Sequence, residues 1–279
     1  MTERISNSPV FILSIFPRSG TNYLLFALGF SPRLFYAEPV LEDYFLFHAG
    51  LLAKFARKTA NLWLRIGFLD GNAGPDPDIW EKNLLTSLGR GTLSFLEQMS
   101  PPGRRIVTKT PFSRNLKYLF KLYPSAQVIF LVRDGRDVVQ SFNLTWPRFT
   151  FAYTALNWRY HAWLYQRFLD SARGTPEEKQ IHRVSYEDLV SKPRQSMSEI
   201  LRFLNVEERT FDWAGFDSLD LIGSSVHRGT DTQVHWKRIP KPKAFNPIGR
   251  WKNWGLIKKL TFRLLAGSQL KRLGYLWTP

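Results

Sequence analysis

Composition and charge exclude several classes of protein before any motif is considered. The chain has 279 residues, no cysteine and a formal net charge of +16. The absence of cysteine excludes disulfides, thiolate catalysis and cysteine-ligated zinc. Hydrophobic residues make up 44% of the chain and charged residues 22%, which is typical of a globular protein and not of a disordered one. At this length we expect one α/β domain over residues 1–279.

The positive charge is concentrated toward the C-terminal end. Residues 221–279 contain twelve lysines and arginines against a single acid, Asp231. Such a surface attracts a multiply anionic cofactor, and equally nucleic acid, sulfated glycans or anionic lipid. Charge alone therefore does not choose among these partners.

The N-terminal segment predicts an anion site. Val10 to Phe16 is a short apolar run that predicts a buried strand, and Tyr23 to Leu28 predicts a helix. The intervening loop would aim backbone N–H groups and a helix N-terminus at an anion, and the hydroxyls of Ser19 and Thr21 would add contacts. We therefore expect this loop to bind a phosphorylated ligand.

The loop differs from that of ATPases and GTPases. GxxxxGK followed by Ser or Thr is absent, and Arg18 precedes Gly20 instead of a lysine following the last glycine. A nucleotide other than ATP or GTP is the better prediction.

A second anion-binding element lies in the middle of the chain. Val128 to Val132 predicts another buried strand, and it leads directly into Arg133, with Ser141 in the following helix. Arg133 and Ser141 would face one oxyanion near the start of that helix.

The remaining pattern alternates strands with helices, which favours a mostly parallel central sheet flanked by helices. Further strands are predicted at Leu34–Ala37, Arg105–Thr108 and Ile181–Ser185, and helices at Asn83–Met99, Ser113–Leu122, Thr154–Ala172 and Ser196–Leu204. Polar residues follow or end the five strands: Arg18, Glu38, Lys109, Arg133 and Tyr186. Ligands of open α/β sheets bind at the carboxyl ends of the strands, so we expect these residues to share one edge.

These motifs together resemble the sulfotransferases that use 3′-phosphoadenosine 5′-phosphosulfate (PAPS). PRSGT at residues 17–21 is similar to that family's 5′-phosphosulfate loop, and LVRDGRDVVQSF at residues 131–142 is similar to its 3′-phosphate element. Further matches are KTP at 109–111, YEDL at 186–189, Ser224-Ser225, GRWK at 249–252 and LGY at 273–275. The resemblance covers almost the whole chain and implies a P-loop-NTPase-like sulfotransferase fold.

The resemblance also implies which residues hold PAPS and its product, adenosine 3′,5′-bisphosphate. The 3′-phosphate is assigned to Arg133 and Ser141, and the base to Tyr23 and Tyr186. The other residues implied in cofactor binding are Arg18, Ser19, Gly20, Thr21, Asn22, Ser224, Ser225, Arg250, Trp251 and Lys252. Either tyrosine would serve equally well as core packing.

Catalysis by this family needs a base for the acceptor hydroxyl. Glu38 is the first candidate, because a glutamate stands at a similar distance after the loop in the tyrosylprotein and related sulfotransferases; Glu42 and Asp43 are rivals. Many small-molecule members carry a histidine where this chain has Lys109, which favours a carboxylate base and a lysine acting on the leaving group. Arg18 and Lys109 would stabilise charge on the bridging oxygen, so we expect no metal.

Acceptor recognition is expected from two regions, Leu41–Trp80 and the aromatic-rich Asn143–Tyr165, although a helix with an aromatic core face explains the second equally well. The basic segment Trp254–Leu265 would dock onto the domain or contact an anionic membrane surface.

The sequence shows neither a signal peptide nor a membrane span. Val10–Phe16 is too short for a signal peptide, and lysines and arginines interrupt the apolar region 44–69, so it is not a membrane-spanning helix. We therefore expect a soluble, cytoplasmic protein. Nucleic acid is not expected among its partners.

Two other functions remain open on sequence grounds. A nucleotide-dependent, kinase-like enzyme would need Mg²⁺ and a lysine in its phosphate loop, and the loop here has no lysine. A non-catalytic polyanion- or membrane-binding protein would use the basic C-terminal region and ignore changes at Arg133. The acceptor and the oligomeric state are left open.

Overall fold

The computed structural model describes residues 8–67, 76–222, 238–240 and 245–277. Its centre is a five-stranded sheet with the order β2-β3-β1-β4-β5, in which every neighbouring pair is parallel. The strands are β1 (Val10–Ser14), β2 (Leu34–Phe35), β3 (Arg105–Thr110), β4 (Gln127–Val132) and β5 (Ile181–Ser185). Val10 of β1 pairs with Val107 on one side and with Gln127 on the other, so β1 is the central strand.

Helices cover both faces of the sheet, and for that reason the central strands are apolar on both faces. Side chains alternate along β1, with Phe11 and Leu13 in one core cluster and Val10 and Ile12 in the other. The helices are α1 (Thr21–Leu28), α2 (Phe45–Arg65), α3 (Pro77–Glu97), α4 (Leu119–Leu122), α5 (Gly135–Thr145), α6 (Phe151–Ala172), α7 (Tyr186–Ser191), α8 (Pro193–Phe203), α9 (Trp213–Asp217) and α10 (Leu256–Arg272). Residues of α2–α6 and α10 contribute to the first cluster, and residues of α1 and α7–α9 to the second.

The structure confirms the predicted parallel sheet with flanking helices and shifts several boundaries. β3 continues to Thr110, so Lys109 lies inside the strand and not after it. The predicted helix Ser113–Leu122 is shorter, because Asn115 has a positive φ of 62° and only a 3₁₀ turn (Leu116–Tyr118) precedes α4. The 21-residue helix α2 lies in a region that the sequence pattern left unassigned.

The C-terminal region folds back onto the main sheet. A 3₁₀ turn, Arg250–Asn253, precedes α10, and α10 packs on α6 through Phe262, whose ring centroid lies 5.7 Å from that of Trp158. Beyond α10, the hydroxyl of Tyr275 donates to Glu187 Oε2 at 2.8 Å. Two short strands, β6 (Leu221–Ile222) and β7 (Arg238–Ile239), form a separate antiparallel pair. Within the described ranges, no helix combines the length and apolar character needed to cross a membrane.

Candidate functional site

A cavity of about 890 Å³ lies at the carboxyl edge of the sheet. The segments around it include the loop after β1, the loop and helix after β4, and the chain preceding α10, together with residues 38–44, 111–112 and 186–190. Its wall has a polar half and an aromatic half. The polar half includes Arg18, Gly20, Thr21, Asn22, Tyr23, Glu38, Glu42, Arg133, Ser141, Tyr186 and Arg250.

The loop after β1 has an unusual backbone that directs its side chains in different directions. Arg18 has a φ of 77° and Gly20 a φ of 94°, both in the left-handed region. The buried Ser19 hydroxyl donates to the carbonyl oxygen of Phe16 at 2.7 Å, so it closes the loop. Arg18 lies instead on the cavity wall, where its Nε donates to Ser141 Oγ at 3.3 Å.

Arg133 joins the two anion-binding elements. Its Nη1 donates to the carbonyl oxygen of Arg18 and its Nη2 to that of Pro247, both at 2.7 Å. The guanidinium carbon lies 4.3 Å from the centroid of the Tyr186 ring. Within the described part of the chain, the buried Nε of Arg133 has no hydrogen-bond partner. This buried donor next to the cavity fits an anionic ligand.

Three arginines converge on the polar half, and their charges repel one another. Burial, with the positive charges of Arg133 and Arg250, lowers the pKa of Arg18 to about 10. Burial and the charge of Arg133 also lower the pKa of Arg250. Because desolvated like charges are unfavourable without a counter-charge, this half of the cavity suits a ligand with more than one negative charge.

Asp137 holds Arg250 against the cavity from behind. Its buried carboxylate accepts the backbone N–H of Gly249 at 2.6 Å and that of Trp251 at 3.1 Å. Trp251 itself turns away into the core, where the guanidinium of Arg136 lies 3.6 Å from its ring centroid, and Lys252 is exposed to solvent. Of the predicted C-terminal group, Arg250 is the residue that lines the cavity.

Lys109 lies behind the cavity wall. Its side chain is fully buried, and Nζ donates to Asn22 Oδ1 and, at 2.9 Å, to Glu42 Oε1. Burial lowers the pKa of Lys109, while the Glu42 carboxylate opposes that shift. Glu42 also accepts the hydroxyl of Tyr44 at 2.6 Å. Lys109 therefore places its charge behind Asn22, a residue of the wall.

The three candidate bases occupy different environments. Asp43 is buried and accepts from the hydroxyls of Thr108 and Thr110 and from the backbone N–H of Phe45. It therefore anchors the start of α2. Glu42 pairs with Lys109, as described above. Glu38 is exposed on the cavity wall and forms no ion pair with any described residue.

The other half of the cavity is aromatic. Phe142 lies between Trp146 and Phe149, with ring centroids at 4.5 and 5.7 Å. Arg148 lies 4.9 Å above the ring of Phe149. Tyr44, Phe112, Phe142, Trp146, Arg148 and Phe149 line this half. An acceptor with an apolar or aromatic body matches these contacts.

The structure thus brings together most of the predicted site residues. Those outside the cavity wall are Ser19, Lys109, Trp251 and Lys252. Ser224 and Ser225 lie outside the described residues.

Three residues of the site were not predicted from the sequence: Phe112, Phe142 and Asp137. Phe112 could have been predicted, because it follows the carboxyl end of β3. Asp137 could not, because its partners Gly249 and Trp251 lie 112 and 114 residues further along the chain.

Comparison with known proteins identifies the class. Residues 9–210 match the family model described as the sulfotransferase family, and the chain belongs to that family. Among curated proteins it is similar to protein-tyrosine sulfotransferase 1 of Danio rerio, at 28% identity over 199 residues, covering 66% of this chain and 52% of that protein. It is also 27% identical to protein-tyrosine sulfotransferase 2 of Gallus gallus, over 57% of this chain and 43% of that one. The chain spans about half the length of the curated relatives it matches.

Solved structures share the fold. The sulfotransferase domain of the Synechococcus PCC 7002 olefin synthase is 20% identical, with a TM-score of 0.56 and coverage of 98% of this chain and 97% of that one. The sulfotransferase domain from the curacin biosynthetic pathway is 22% identical, with a TM-score of 0.56 and coverage of 98% and 99%. The predicted sulfotransferase fold is confirmed.

Proposed function

We propose that this chain transfers a sulfuryl group from PAPS to a hydroxyl, or an amine, of an acceptor such as a phenol, glycan or lipid. The convergence of Arg18, Arg133 and Arg250 on one cavity beside an aromatic compartment is the observation that carries the proposal. Its volume, about 890 Å³, lies in the range of about 300–1,000 Å³ typical of small-molecule sites.

The polar half has the groups that PAPS requires. Arg133 and Ser141 would hold the 3′-phosphate, and Arg18 with the loop around Gly20 would hold the 5′-phosphosulfate. Tyr186 and Tyr23 would flank the base. The buried Nε of Arg133 and the mutual repulsion of the arginines support this assignment, because a bis-anionic nucleotide supplies both the missing acceptor and the counter-charge.

When bound, PAPS supplies the sulfuryl group, whose bond to the phosphate oxygen breaks as a bond to the acceptor oxygen forms. Arg18 would stabilise negative charge on the bridging oxygen from the cavity wall. Lys109 would add its positive charge from behind Asn22, held there by Glu42. These two cations provide the electrostatic stabilisation for which other enzymes use a metal ion, so transfer should continue in the presence of EDTA.

Glu38 would accept the proton that the acceptor hydroxyl loses. Glu38 and Glu42 both line the cavity, but the Glu42 carboxylate is engaged by Lys109 and Tyr44. Asp43 is engaged by two threonines and a backbone N–H. A base must reach the acceptor oxygen before its proton affinity matters, and Glu38 meets that first condition best of the three.

The aromatic half supports an acceptor with a flat or apolar body, and Arg148 at its edge would contact a negatively charged substituent. Two relatives are named protein-tyrosine sulfotransferases, so tyrosine-containing peptides belong in the first acceptor panel. Phenols, glycans and hydroxylated lipids complete it.

Transfer of radiolabelled sulfate from PAPS to this panel tests the proposal, with Glu38→Gln and Glu42→Gln as the matched pair. We expect Glu38→Gln to lower kcat by roughly 100-fold or more, while the affinity for adenosine 3′,5′-bisphosphate stays unchanged. Glu42→Gln should reduce kcat less, because it loosens Lys109 without removing the base. Full turnover by Glu38→Gln would show that the base lies elsewhere.

Nucleotide binding is measured separately from turnover. Adenosine 3′,5′-bisphosphate should raise the melting temperature, and adenosine 5′-monophosphate, which lacks the 3′-phosphate, should raise it much less. No stabilisation by the bisphosphate, together with no transfer to any acceptor, would refute the proposed function.

A further inference from the structure

The helix α10 has two apolar faces, and only one of them is buried. Phe262, Ala266 and Leu270 point inward and belong to the main core cluster. On the opposite side Leu256, Ile257, Leu260 and Leu264 are 71%, 81%, 53% and 84% exposed. We call these four side chains the outer face of α10. Their spacing follows the helical repeat, so they form one continuous apolar strip.

Only positive charges accompany this strip. The 17 residues of α10 include no acid and five cations: Lys258, Lys259, Arg263, Lys271 and Arg272. Lysine and arginine side chains can lie along an apolar surface while their charged ends reach outward. The outer face of α10 is therefore apolar at its centre and cationic at its edges.

The neighbouring helix α6 extends the same surface. Its exposed Tyr153, Leu156, Tyr160 and Trp163 follow helical spacing. Arg159 connects the two helices, because its Nη1 donates to the carbonyl oxygen of Leu265 at 3.3 Å. At the other end, the ring of Tyr153 stacks on that of Phe149 with centroids 5.4 Å apart, and Phe149 lines the cavity. The exposed apolar residues of α6 thus lie between α10, which Arg159 contacts, and Phe149 of the aromatic half.

We propose that the outer face of α10, with the exposed aromatic residues of α6, docks on the surface of an anionic lipid bilayer. Apolar side chains would enter the boundary between headgroups and acyl chains, and the flanking cations would meet the lipid phosphates. Tyrosine and tryptophan favour this boundary, because their rings are apolar with one polar atom. Charge complementarity selects an anionic surface, since α10 has five cations and no acid. The exposed apolar strip favours a bilayer over a polyanion that has no apolar phase.

The docking also fits the position of the cavity. Because Tyr153 and Phe149 join the docking surface to the aromatic half, an apolar acceptor dissolved in the bilayer would enter without crossing water. This consequence for the acceptor rests on the proposed function, whereas the docking itself does not.

Vesicle flotation tests the docking. The full chain should float with vesicles of phosphatidylcholine and phosphatidylglycerol and much less with phosphatidylcholine alone. Replacing Leu256, Ile257, Leu260 and Leu264 together by serine should lower the partition coefficient by roughly tenfold or more, because each buried aliphatic side chain contributes at least that factor when fully inserted. The matched control replaces Leu51 and Phe55 of α2, which are also exposed and apolar, and should float like the unchanged chain.

Melting temperatures of both variants should equal that of the unchanged chain, since the replaced side chains are exposed. Sulfate transfer by the α10 variant to a water-soluble acceptor should also be unchanged, which separates a failure of docking from a failure of the proposed function. Undiminished flotation of the α10 variant would overturn the proposal. So would binding to dextran sulfate that matches binding to vesicles, or a concentration-dependent dimer that the α10 replacements abolish.

Discussion

Gly20 lies directly against the ring of Tyr186: a Cβ placed on Gly20 would be 2.4 Å from both Cδ2 and Cε2 of that ring. Tyr186 is buried, and the guanidinium carbon of Arg133 lies 4.3 Å from the centroid of its ring. A loop glycine, an aromatic side chain and an arginine from three separate segments thus lie close together beside the cavity.

Gly20→Ala should therefore damage the site. The added methyl group overlaps the Tyr186 ring, and a φ of 94° disfavours any residue with a Cβ, so we expect a loss of about 1–3 kcal/mol in the free energy of unfolding. Chemical denaturation measures that loss. The control is Gly91→Ala in α3, where no atom lies within 4 Å of the added Cβ, and which should stabilise the chain by about 0.5–1 kcal/mol. Equal effects of the two substitutions would contradict the proposed close contact.

Arg133→Ala should largely remove the binding of adenosine 3′,5′-bisphosphate. Hydrogen bonds to a charged group contribute about 1.5–3 kcal/mol, so we expect the dissociation constant to rise roughly 10- to 100-fold by calorimetry. Arg148→Ala removes an exposed arginine from the aromatic half of the same cavity. It should leave nucleotide affinity intact and raise KM for the acceptor. A reversed pattern would mean that the two halves are assigned the wrong way round.

Asp137→Asn should weaken nucleotide binding indirectly. Asp137 accepts two backbone N–H groups that flank Arg250, and an amide oxygen cannot replace both charged acceptors equally well. We expect a dissociation constant about 3- to 10-fold higher, with stability lowered by about 1–3 kcal/mol. The double variant with Arg250→Ala tests whether Asp137 acts by positioning Arg250. If it does, the two losses in nucleotide affinity should not add, whereas independent roles would make them additive.

His161 should make stability depend on pH. It lies behind the aromatic half, 5.7 Å from the ring of Phe112, and burial with the charge of Arg114 lowers its pKa from 6.5 to about 4. Between these two pKa values His161 binds a proton in the unfolded chain but stays neutral in the folded protein. Keeping His161 neutral therefore contributes fully to the free energy of unfolding above about pH 6.5, and this contribution is lost as the pH falls toward 4. At about pH 5 the free energy of unfolding should be lower by about 2 kcal/mol.

Denaturation of the unchanged chain and of His161→Phe at about pH 5 and about pH 7.5 measures this contribution. The difference in stability between the two proteins should shift by about 2 kcal/mol across that interval in favour of the variant at the lower pH. A difference that does not change with pH would show that His161 titrates normally in the folded protein.

Much of the fold follows from local signals. Apolar runs marked β1 and β4 within a residue or two, since fully buried parallel strands leave continuous hydrophobic segments. The bounds of the edge strand β5 were also predicted, although its sequence is mixed and only Val184 is buried. The anion loops were visible because glycine, arginine and serine are needed at fixed places in a strand-to-helix turn. The sequence alone therefore assigned Arg18 and Arg133 to one edge of the sheet.

Side-chain contacts between segments far apart in the sequence could not be predicted from such local patterns. Arg18 and Ser141 are 123 residues apart, and Lys109 and Glu42 are 67 apart. The position of Lys109 was also misjudged locally: the polar Thr108-Lys109-Thr110 predicted the end of β3, yet Asp43 and Glu42 provide partners that allow these side chains to be buried. Tertiary pairing here overrides what the residue types predict.

The two segments that carry Arg18 and Arg250 should differ in how readily their backbone hydrogen bonds open, because Arg18 follows the central strand β1. β1 is fully buried and hydrogen-bonded to β3 and β4, so its amide protons should exchange with solvent only when the whole molecule unfolds. Arg250, by contrast, belongs to a short turn outside the main sheet that Asp137 fastens by two backbone N–H groups. The amide protons of Gly249 and Trp251, which this one carboxylate accepts, should therefore exchange faster than those of β1, and bound nucleotide should slow their exchange.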